Sequence, residues 1–152
     1  MPAKTDYRPN PRRAIIVQGM IDQGMVNDLT PQIIALQAAS TEPITVYIDS
    51  PGGVVACARR IRSLLFSPNL DSVACRVLTV VTGTAASAAA LLLSSGNYSL
   101  AYPDCRIHYH GTRLPGVEVT LTRATDLTED PVRVTNRITR GWHDLIRRVA
   151  RP

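Results

Sequence analysis

The stretch Gly83-Thr-Ala-Ala-Ser87-Ala-Ala-Ala-Leu-Leu-Leu-Ser-Ser-Gly96 decides the fold of this chain. It follows an apolar, β-branched run at residues 77–81, which predicts a buried strand bounded by Gly83. The alanines and leucines after Ser87 are good helix formers, and Gly96 is the expected C-cap. The stretch therefore predicts a strand that turns into a buried helix, with Ser87 in the first helical turn.

Ser87 suits a chemical role at that position. The first turn of a helix presents free N–H groups and the positive end of the helix dipole, which both favour developing negative charge. A nucleophile whose reaction creates an oxyanion is well placed there. The alternative is an ordinary helix start, because serine is a preferred cap and small residues allow close packing. This stretch alone leaves both interpretations open.

Length and composition limit the class of protein. The chain has 152 residues, 45% of them hydrophobic, which is enough for one domain with a substantial core. Its net charge is +5, but the arginines are dispersed and only 5% of residues are aromatic, so we expect a solvated basic surface and no nucleic-acid partner. The three cysteines, Cys57, Cys75 and Cys105, have no metal-type spacing, and their odd number argues against a disulfide framework. We therefore expect a reducing, cytoplasmic location. Residues 1–13 carry charges and prolines but no apolar stretch, so we expect no signal peptide.

Residues 77–93 carry no charge and approach the length that spans a bilayer. Their Thr, Ser and Gly content and the neighbouring strand signals favour a buried core segment. We therefore expect no membrane partner.

Strand and helix signals alternate along the chain. Predicted strands cover residues 13–18, 44–49, 77–81, 98–102 and 106–110. Predicted helices run from Thr30-Pro31 to about Ser40, over residues 54–66, and from the Ser87 region to Gly96. This alternation predicts an α/β fold with parallel strand pairing.

A second signal is the turn Asp49-Ser-Pro-Gly-Gly-Val54. Two glycines after a strand let the backbone approach a ligand closely and expose N–H groups. An ordinary strand-to-helix turn explains the same residues. Phosphate binding is disfavoured, because neither Gly-x-Gly-x-x-Gly nor Gly-Lys-Ser/Thr is present.

A third signal is His108-Tyr-His110-Gly111. Residues two apart on a strand share a face, so both histidines could point to one site. A resident metal needs more ligands than these two, and His143 belongs to a different element, so we expect no metal. A histidine at a strand end is a reasonable general base, since its pKa is near neutrality.

Together these segments resemble the proteolytic subunit of the Clp protease family, in the same order and at the same spacing. The matching segments are residues 44–53, 83–87, 91–96 and 103–110, and the resemblance covers roughly residues 13–112. It implies an α/β fold of the Clp/crotonase type, a spiral of stacked β-β-α units. The expected organisation is an irregular arm at residues 1–12, a peptidase core at 13–112, and a handle strand and helix at 113–152.

The resemblance also implies roles for individual residues. Ser87 matches the nucleophile and His110 the general base. The backbone amides of Gly53 and Ala88 match the oxyanion hole, and Gly52 and Val54 are the expected substrate-binding residues flanking Gly53 in the same turn.

The sequence departs from the family pattern at four positions. Cys105 replaces a serine, His108 replaces an apolar residue, Asp49 replaces asparagine, and Ala88 is smaller than usual.

The third member of the triad is unknown from the sequence. The given sequence ends at Pro152, before the family segment that carries the triad aspartate, and none of Asp126, Asp130 and Asp144 matches that position. Three alternatives stay open: the sequence is a truncated form, the aspartate is absent, or another residue orients His110. A Ser-Lys dyad is disfavoured because Lys4, the only lysine, lies in the N-terminal arm.

The resemblance implies a serine endopeptidase subunit that hydrolyses unfolded polypeptides or peptides without a cofactor. It also implies a homo-oligomeric ring and an ATP-dependent unfoldase as a further partner. Two alternatives stay open: a non-catalytic or weakly active Clp-like assembly subunit, favoured by the missing aspartate, and a crotonase-type acyl-CoA enzyme with the same fold.

Overall fold

The computed structural model of the chain describes residues 8–110. These residues all belong to the first of the two units into which the chain divides, Met1–His110 and Gly111–Pro152. The predicted handle at residues 113–152 lies outside the described residues. The division into arm, core and handle stays a prediction.

Five strands and three helices follow a short 3-10 turn at Pro11–Arg13. In chain order they are β1 (Ala14–Gln18), α1 (Gln23–Ala39), β2 (Ile44–Ser50), α2 (Val55–Leu65), β3 (Val77–Ala86), α3 (Ala88–Ser95), β4 (Tyr98–Ala101) and β5 (Arg106–His108).

The strands form one parallel sheet in the order β1-β2-β3-β4, with β5 also paired to β3. Helices α1, α2 and α3 make the crossovers that parallel neighbours require. The central strands β2 and β3 consist largely of buried apolar residues, as expected for a parallel sheet. The predicted α/β fold with parallel pairing is therefore confirmed.

Strand β3 is longer than the sequence suggested and contains an irregularity that shapes the site. Its first half pairs with β4 and its last three residues pair with β5. Between the pairs Ile48↔Val81 and Ser50↔Ala85 the register shifts, because β3 uses more residues than β2. Gly83 lies in this shift rather than ending the strand. A Cβ there would lie 2.5 Å from Asp49 Oδ1, so glycine allows a close approach.

The predicted start of the first helix at Thr30-Pro31 is wrong. Helix α1 begins seven residues earlier than Thr30, after Asp22, whose Oδ1 accepts a hydrogen bond from the Met25 N–H at 2.9 Å. Pro31 lies inside the helix. It is tolerated in an exposed position, and the neighbouring Thr30 Oγ1 donates to the Val26 carbonyl at 2.6 Å.

The C-terminal end of α1 is held by a buried arginine. Arg13 is 8% exposed, and its Nη2 donates to the carbonyls of Leu36, Ser40 and Glu42 at 2.9, 3.1 and 3.0 Å. These acceptors include carbonyls at the helix end that have no partner within the helix. Arg13 therefore ties the start of β1 to the end of α1.

Within residues 8–110, no helix has both the length and the apolar character that crossing a membrane requires.

Candidate active site

Ser87 occupies the junction between β3 and α3 in an unusual backbone conformation. Its φ of 54° and ψ of −119° lie in a region that residues with a side chain rarely adopt. Its N–H donates to the His108 carbonyl at 2.8 Å, and its carbonyl accepts from the Leu91 N–H at 3.2 Å. Such a conformation costs about 1–3 kcal/mol and persists only where the surroundings enforce it.

Ser87 is the N-cap residue of α3, not a residue of its first turn as the sequence suggested. Its side chain makes no capping hydrogen bond, so the interpretation of this serine as an ordinary side-chain cap is not supported. The half-buried side chain is left without a capping function.

Strand β5 brings His108 to the same junction, and His110 follows two residues later. It runs parallel to the end of β3, with Ala86 opposite His108. The predicted strand at 106–110 ends at His108, so His110 follows the strand rather than belonging to it.

The rings of His108 and His110 are neighbours but do not share a hydrogen bond. Their centroids are 5.7 Å apart, and the ring planes are tilted by 50°. A ring nitrogen lies about 1.2 Å from its centroid, so the nitrogens of the two rings are at least about 3.3 Å apart, beyond the usual N–H···acceptor range. His108 therefore does not orient His110 through a direct hydrogen bond.

The Gly52-Gly53 turn is fixed by Ile21. The Ile21 N–H donates to the Gly52 carbonyl at 2.9 Å, and the Val54 N–H donates to the Ile21 carbonyl at 2.8 Å. Ile21 and Gly53 form a parallel bridge, in which Ile21 makes its hydrogen bonds to the two neighbours of Gly53. The N–H and C=O of Gly53 therefore point away from Ile21. The Gly53 N–H donates none of the turn, loop or cap hydrogen bonds within residues 8–110.

Gly52 packs directly against the serine junction. It is buried with φ +99°, and a Cβ on it would lie 2.5 Å from the Ala86 carbonyl oxygen, 2.8 Å from Ser87 Cβ and 3.1 Å from the Ala88 nitrogen. Only glycine fits at this contact. The Gly-Gly turn and the start of α3 are therefore brought together.

Gly52 and Val54, the predicted substrate-binding residues, differ in which of their groups are already hydrogen-bonded or buried. The Gly52 N–H donates to Ser50 Oγ at 3.0 Å, and its carbonyl accepts from Ile21, so both backbone groups are engaged. The Val54 N–H is also engaged, but its side chain is 51% exposed beside Gly53. Their binding role stays a prediction.

Ala88 contributes its backbone rather than its side chain. It is the first residue of α3 and only 2% exposed. The first N–H groups of a helix have no partner within it, so the Ala88 amide is available to a ligand next to Ser87. Its small side chain does not alter this property of the backbone.

Two side chains that sequence reasoning left without a role support the turn. Asp49 Oδ1 accepts from the Thr84 N–H at 2.9 Å, which needs only an acceptor and is met by aspartate as well as by asparagine. Ser50 Oγ donates to the Gly19 carbonyl at 2.6 Å and accepts from the Gly52 N–H. A serine two residues before a glycine is a recognisable turn signal that could have found Ser50.

Cys105 lies in the loop before β5, and the pKa of its thiol is raised. Partial burial raises the pKa of its thiol, the negative charge of Asp104 raises it further, and a hydrogen bond to the Cys105 backbone opposes the change. The thiol is therefore less readily ionised than a free cysteine.

No group of three or more His, Cys, Asp or Glu side chains within residues 8–110 is arranged to hold a metal ion. Asp126, Asp130 and Asp144, the acids considered for the third triad position, lie outside the described residues.

Comparisons with known proteins agree with the family resemblance. The sequence model of the Clp protease family matches residues 8–141, which is most of the chain. The chain therefore belongs to the Clp protease family.

Two solved structures share the fold. A mutant of ClpP1 from Listeria monocytogenes matches with a TM-score of 0.63 and 25% identity over 88% of this chain and 71% of that chain. The ClpP protease catalytic domain from Plasmodium falciparum matches with a TM-score of 0.60 and 21% identity over 89% of this chain and 65% of that chain. The predicted Clp/crotonase-type fold is confirmed by these matches.

Proposed function

We propose that this chain is a serine peptidase subunit that hydrolyses peptide bonds in unfolded polypeptides or short peptides. The observation that carries the proposal is Ser87 in its strained conformation, next to Ala88 and packed against Gly52 of the Gly-Gly turn. The side chain of Ser87 makes no capping hydrogen bond, and its backbone conformation is maintained at an energetic cost, which is typical of functional positions.

In the first half of the reaction, Ser87 Oγ attacks the carbonyl carbon of the substrate while His110 accepts the hydroxyl proton. The amides of Gly53 and Ala88 donate hydrogen bonds to the oxyanion that forms. The protonated His110 then delivers its proton to the departing amine as the peptide C–N bond breaks. The product is an acyl ester on Ser87.

In the second half, a water molecule attacks the ester and gives its proton to His110. The same amides stabilise the second oxyanion, and the Ser87–acyl bond breaks. His110 returns the proton to Ser87 Oγ, which restores the starting state and releases a carboxylic acid.

Labelling with a fluorophosphonate probe tests the nucleophile. We expect mass spectrometry to find the adduct on Ser87 and to find no adduct on the Ser87→Ala variant. Ser95→Ala is a matched control, because Ser95 lies at the far end of α3 and donates only to the Leu92 carbonyl. Equal labelling of wild type and Ser87→Ala would contradict the proposal.

A second candidate is a non-catalytic or weakly active Clp-like assembly subunit. What favours it is the sequence, in which Asp126, Asp130 and Asp144 do not match the family position of the triad aspartate. Loss of the acid lowers turnover about 10⁴-fold in a Ser-His-Asp protease, while the oxyanion hole and binding still give about 10³-fold catalysis over water. Probe labelling of Ser87 combined with very slow peptide hydrolysis would favour this candidate.

We also propose that the chain assembles into a homo-oligomeric ring that can receive substrate from an ATP-dependent unfoldase. Family membership supports this proposal. Sedimentation velocity at several protein concentrations should show a large particle. A monomer at high concentration would contradict ring assembly.

A further inference from the structure

The distance between the two histidine rings is too long for a hydrogen bond but suits a shared metal ion. A metal bound to imidazole nitrogen at 2.0–2.1 Å lies about 3.2 Å from the ring centroid. When one nitrogen of each ring faces the ion, two such rings with centroids 5.7 Å apart subtend an angle of about 125° at the metal, close to tetrahedral or trigonal coordination. His108 is exposed and His110 is half-buried, so an ion can reach the pair from solvent.

We propose that His108 and His110 form a two-ligand site for a borderline divalent transition metal ion, and that metal binding there reversibly inhibits the peptidase. Zn²⁺, Ni²⁺ and Cu²⁺ are the ions that favour imidazole, whereas Mg²⁺ favours oxygen ligands. Within residues 8–110, no third His, Cys, Asp or Glu completes a metal group with them. Two histidine ligands alone hold a metal ion less tightly than the four ligands of a structural zinc site, so we expect the ion to exchange.

The inhibitory part of this inference rests on the proposed function, in which His110 is the general base. Coordination uses the lone pair of an imidazole nitrogen, and a coordinated nitrogen cannot accept the proton of Ser87. No bond of the protein is made or broken, and removal of the ion by a chelator restores the base. The binding part does not depend on catalysis.

Isothermal titration of the full chain with ZnCl₂ tests binding directly. We expect the affinity to fall about tenfold or more in His108→Gln and in His110→Gln, because each removes one of the two ligands. His143→Gln is the matched control and should keep the wild-type affinity, and MgCl₂ should not compete. Wild-type zinc affinity in His108→Gln would overturn the proposal.

A second measurement needs no variant. Diethyl pyrocarbonate modifies accessible histidines, and mass spectrometry reports the extent at each position. Zinc should protect His108 and His110 together in the wild-type chain while leaving His143 unaffected. Protection of neither His108 nor His110 at saturating zinc would overturn the site.

The effect on catalysis is measured as the ratio of the rates with and without zinc for each variant. Zinc should inhibit wild type reversibly, and His108→Gln should need about tenfold or more zinc for the same fractional inhibition. Equal sensitivity of the two would overturn the inhibitory role. If Ser87 proves not to be the nucleophile, the proposed function fails, but titration of Ser87→Ala still measures the metal site.

Discussion

Replacing Gly52 with alanine should both destabilise the protein and distort the serine junction. The added Cβ would lie 2.5 Å from the Ala86 carbonyl oxygen and 3.1 Å from the Ala88 nitrogen, both backbone atoms that cannot rotate away. A residue with a side chain at positive φ costs about 1–2 kcal/mol, and an overpacked contact costs about 1–3 kcal/mol. The free energy of unfolding should therefore fall by about 2–5 kcal/mol.

Gly19→Ala is the matched control. Gly19 also has a positive φ, +81°, but a Cβ there meets nothing within 4 Å, so this variant carries the conformational cost without the steric one. Urea denaturation followed by far-UV circular dichroism gives both values. With a slope of about 2 kcal/mol per M, the midpoint should fall by about 0.5–1 M for Gly19→Ala and by about 1–2.5 M for Gly52→Ala.

Fluorophosphonate labelling of the folded fraction separates the effect on the site from the effect on stability. Without urea, Ser87 should be labelled more slowly in Gly52→Ala than in Gly19→Ala. The new Cβ at position 52 clashes with the serine junction, and Ala86 or Ser87 must move to relieve the clash. If the two variants have the same urea midpoint, the turn is not packed against the junction as described. If they differ in midpoint but label equally, the contact is structural only.

Three further predictions concern the supports of the site. Asp49→Asn should leave stability nearly unchanged while Asp49→Ala should lower it by about 0.5–1.5 kcal/mol in urea titrations, because the Thr84 N–H needs only an acceptor. Arg13→Ala should lower the free energy of unfolding by about 3 kcal/mol or more, because its hydrogen bonds to carbonyls at the end of α1 are lost. Arg12→Ala, at an exposed position, should change the free energy of unfolding by no more than about 0.5 kcal/mol. Equal losses in the two variants would contradict the helix-end role of Arg13. Iodoacetamide labelling of Cys105 should show a higher midpoint pH in the folded chain than in urea, because the pKa of the thiol is raised by folding. The contribution of this group to the free energy of unfolding should be present at lower pH and should be lost as the pH rises through the raised pKa.

Local patterns predicted the elements of the fold where the determining signal was itself local. The apolar run and the following alanines indicated β3 and α3, and the alternation of elements indicated the parallel sheet. The predicted start of α1 was wrong because Thr30-Pro31 is a strong local signal for the start of a helix. The buried positions Val26, Leu29 and Ile33 have helical spacing and would have extended the helix back toward its Asp22 cap.

Features that depend on pairing between distant segments could not be predicted in this way. Gly83 resembles a strand terminator, but β3 continues beyond it because of its register against β2. The free direction of the Gly53 amide is set by Ile21, thirty-two residues earlier in the chain, and no local signal links the two. The motif at Ser87 predicts a nucleophile, which stays a prediction, and it gave no sign of the strained backbone, which depends partly on a hydrogen bond to the His108 carbonyl.

The candidate site consists mainly of backbone groups, which explains why few side chains identify it. The proposed oxyanion donors are the amides of Gly53 and Ala88, and the group that holds Ser87 is the His108 carbonyl. Only Ser87 and His110 contribute side chains to the proposed chemistry. A fold can be kept with a very different sequence, as the Listeria ClpP1 match shows with 25% identity at a TM-score of 0.63. Substitutions at the glycines of the turn should therefore harm the site more than substitutions of equal size on the exposed face of α2, because only the former move the donors.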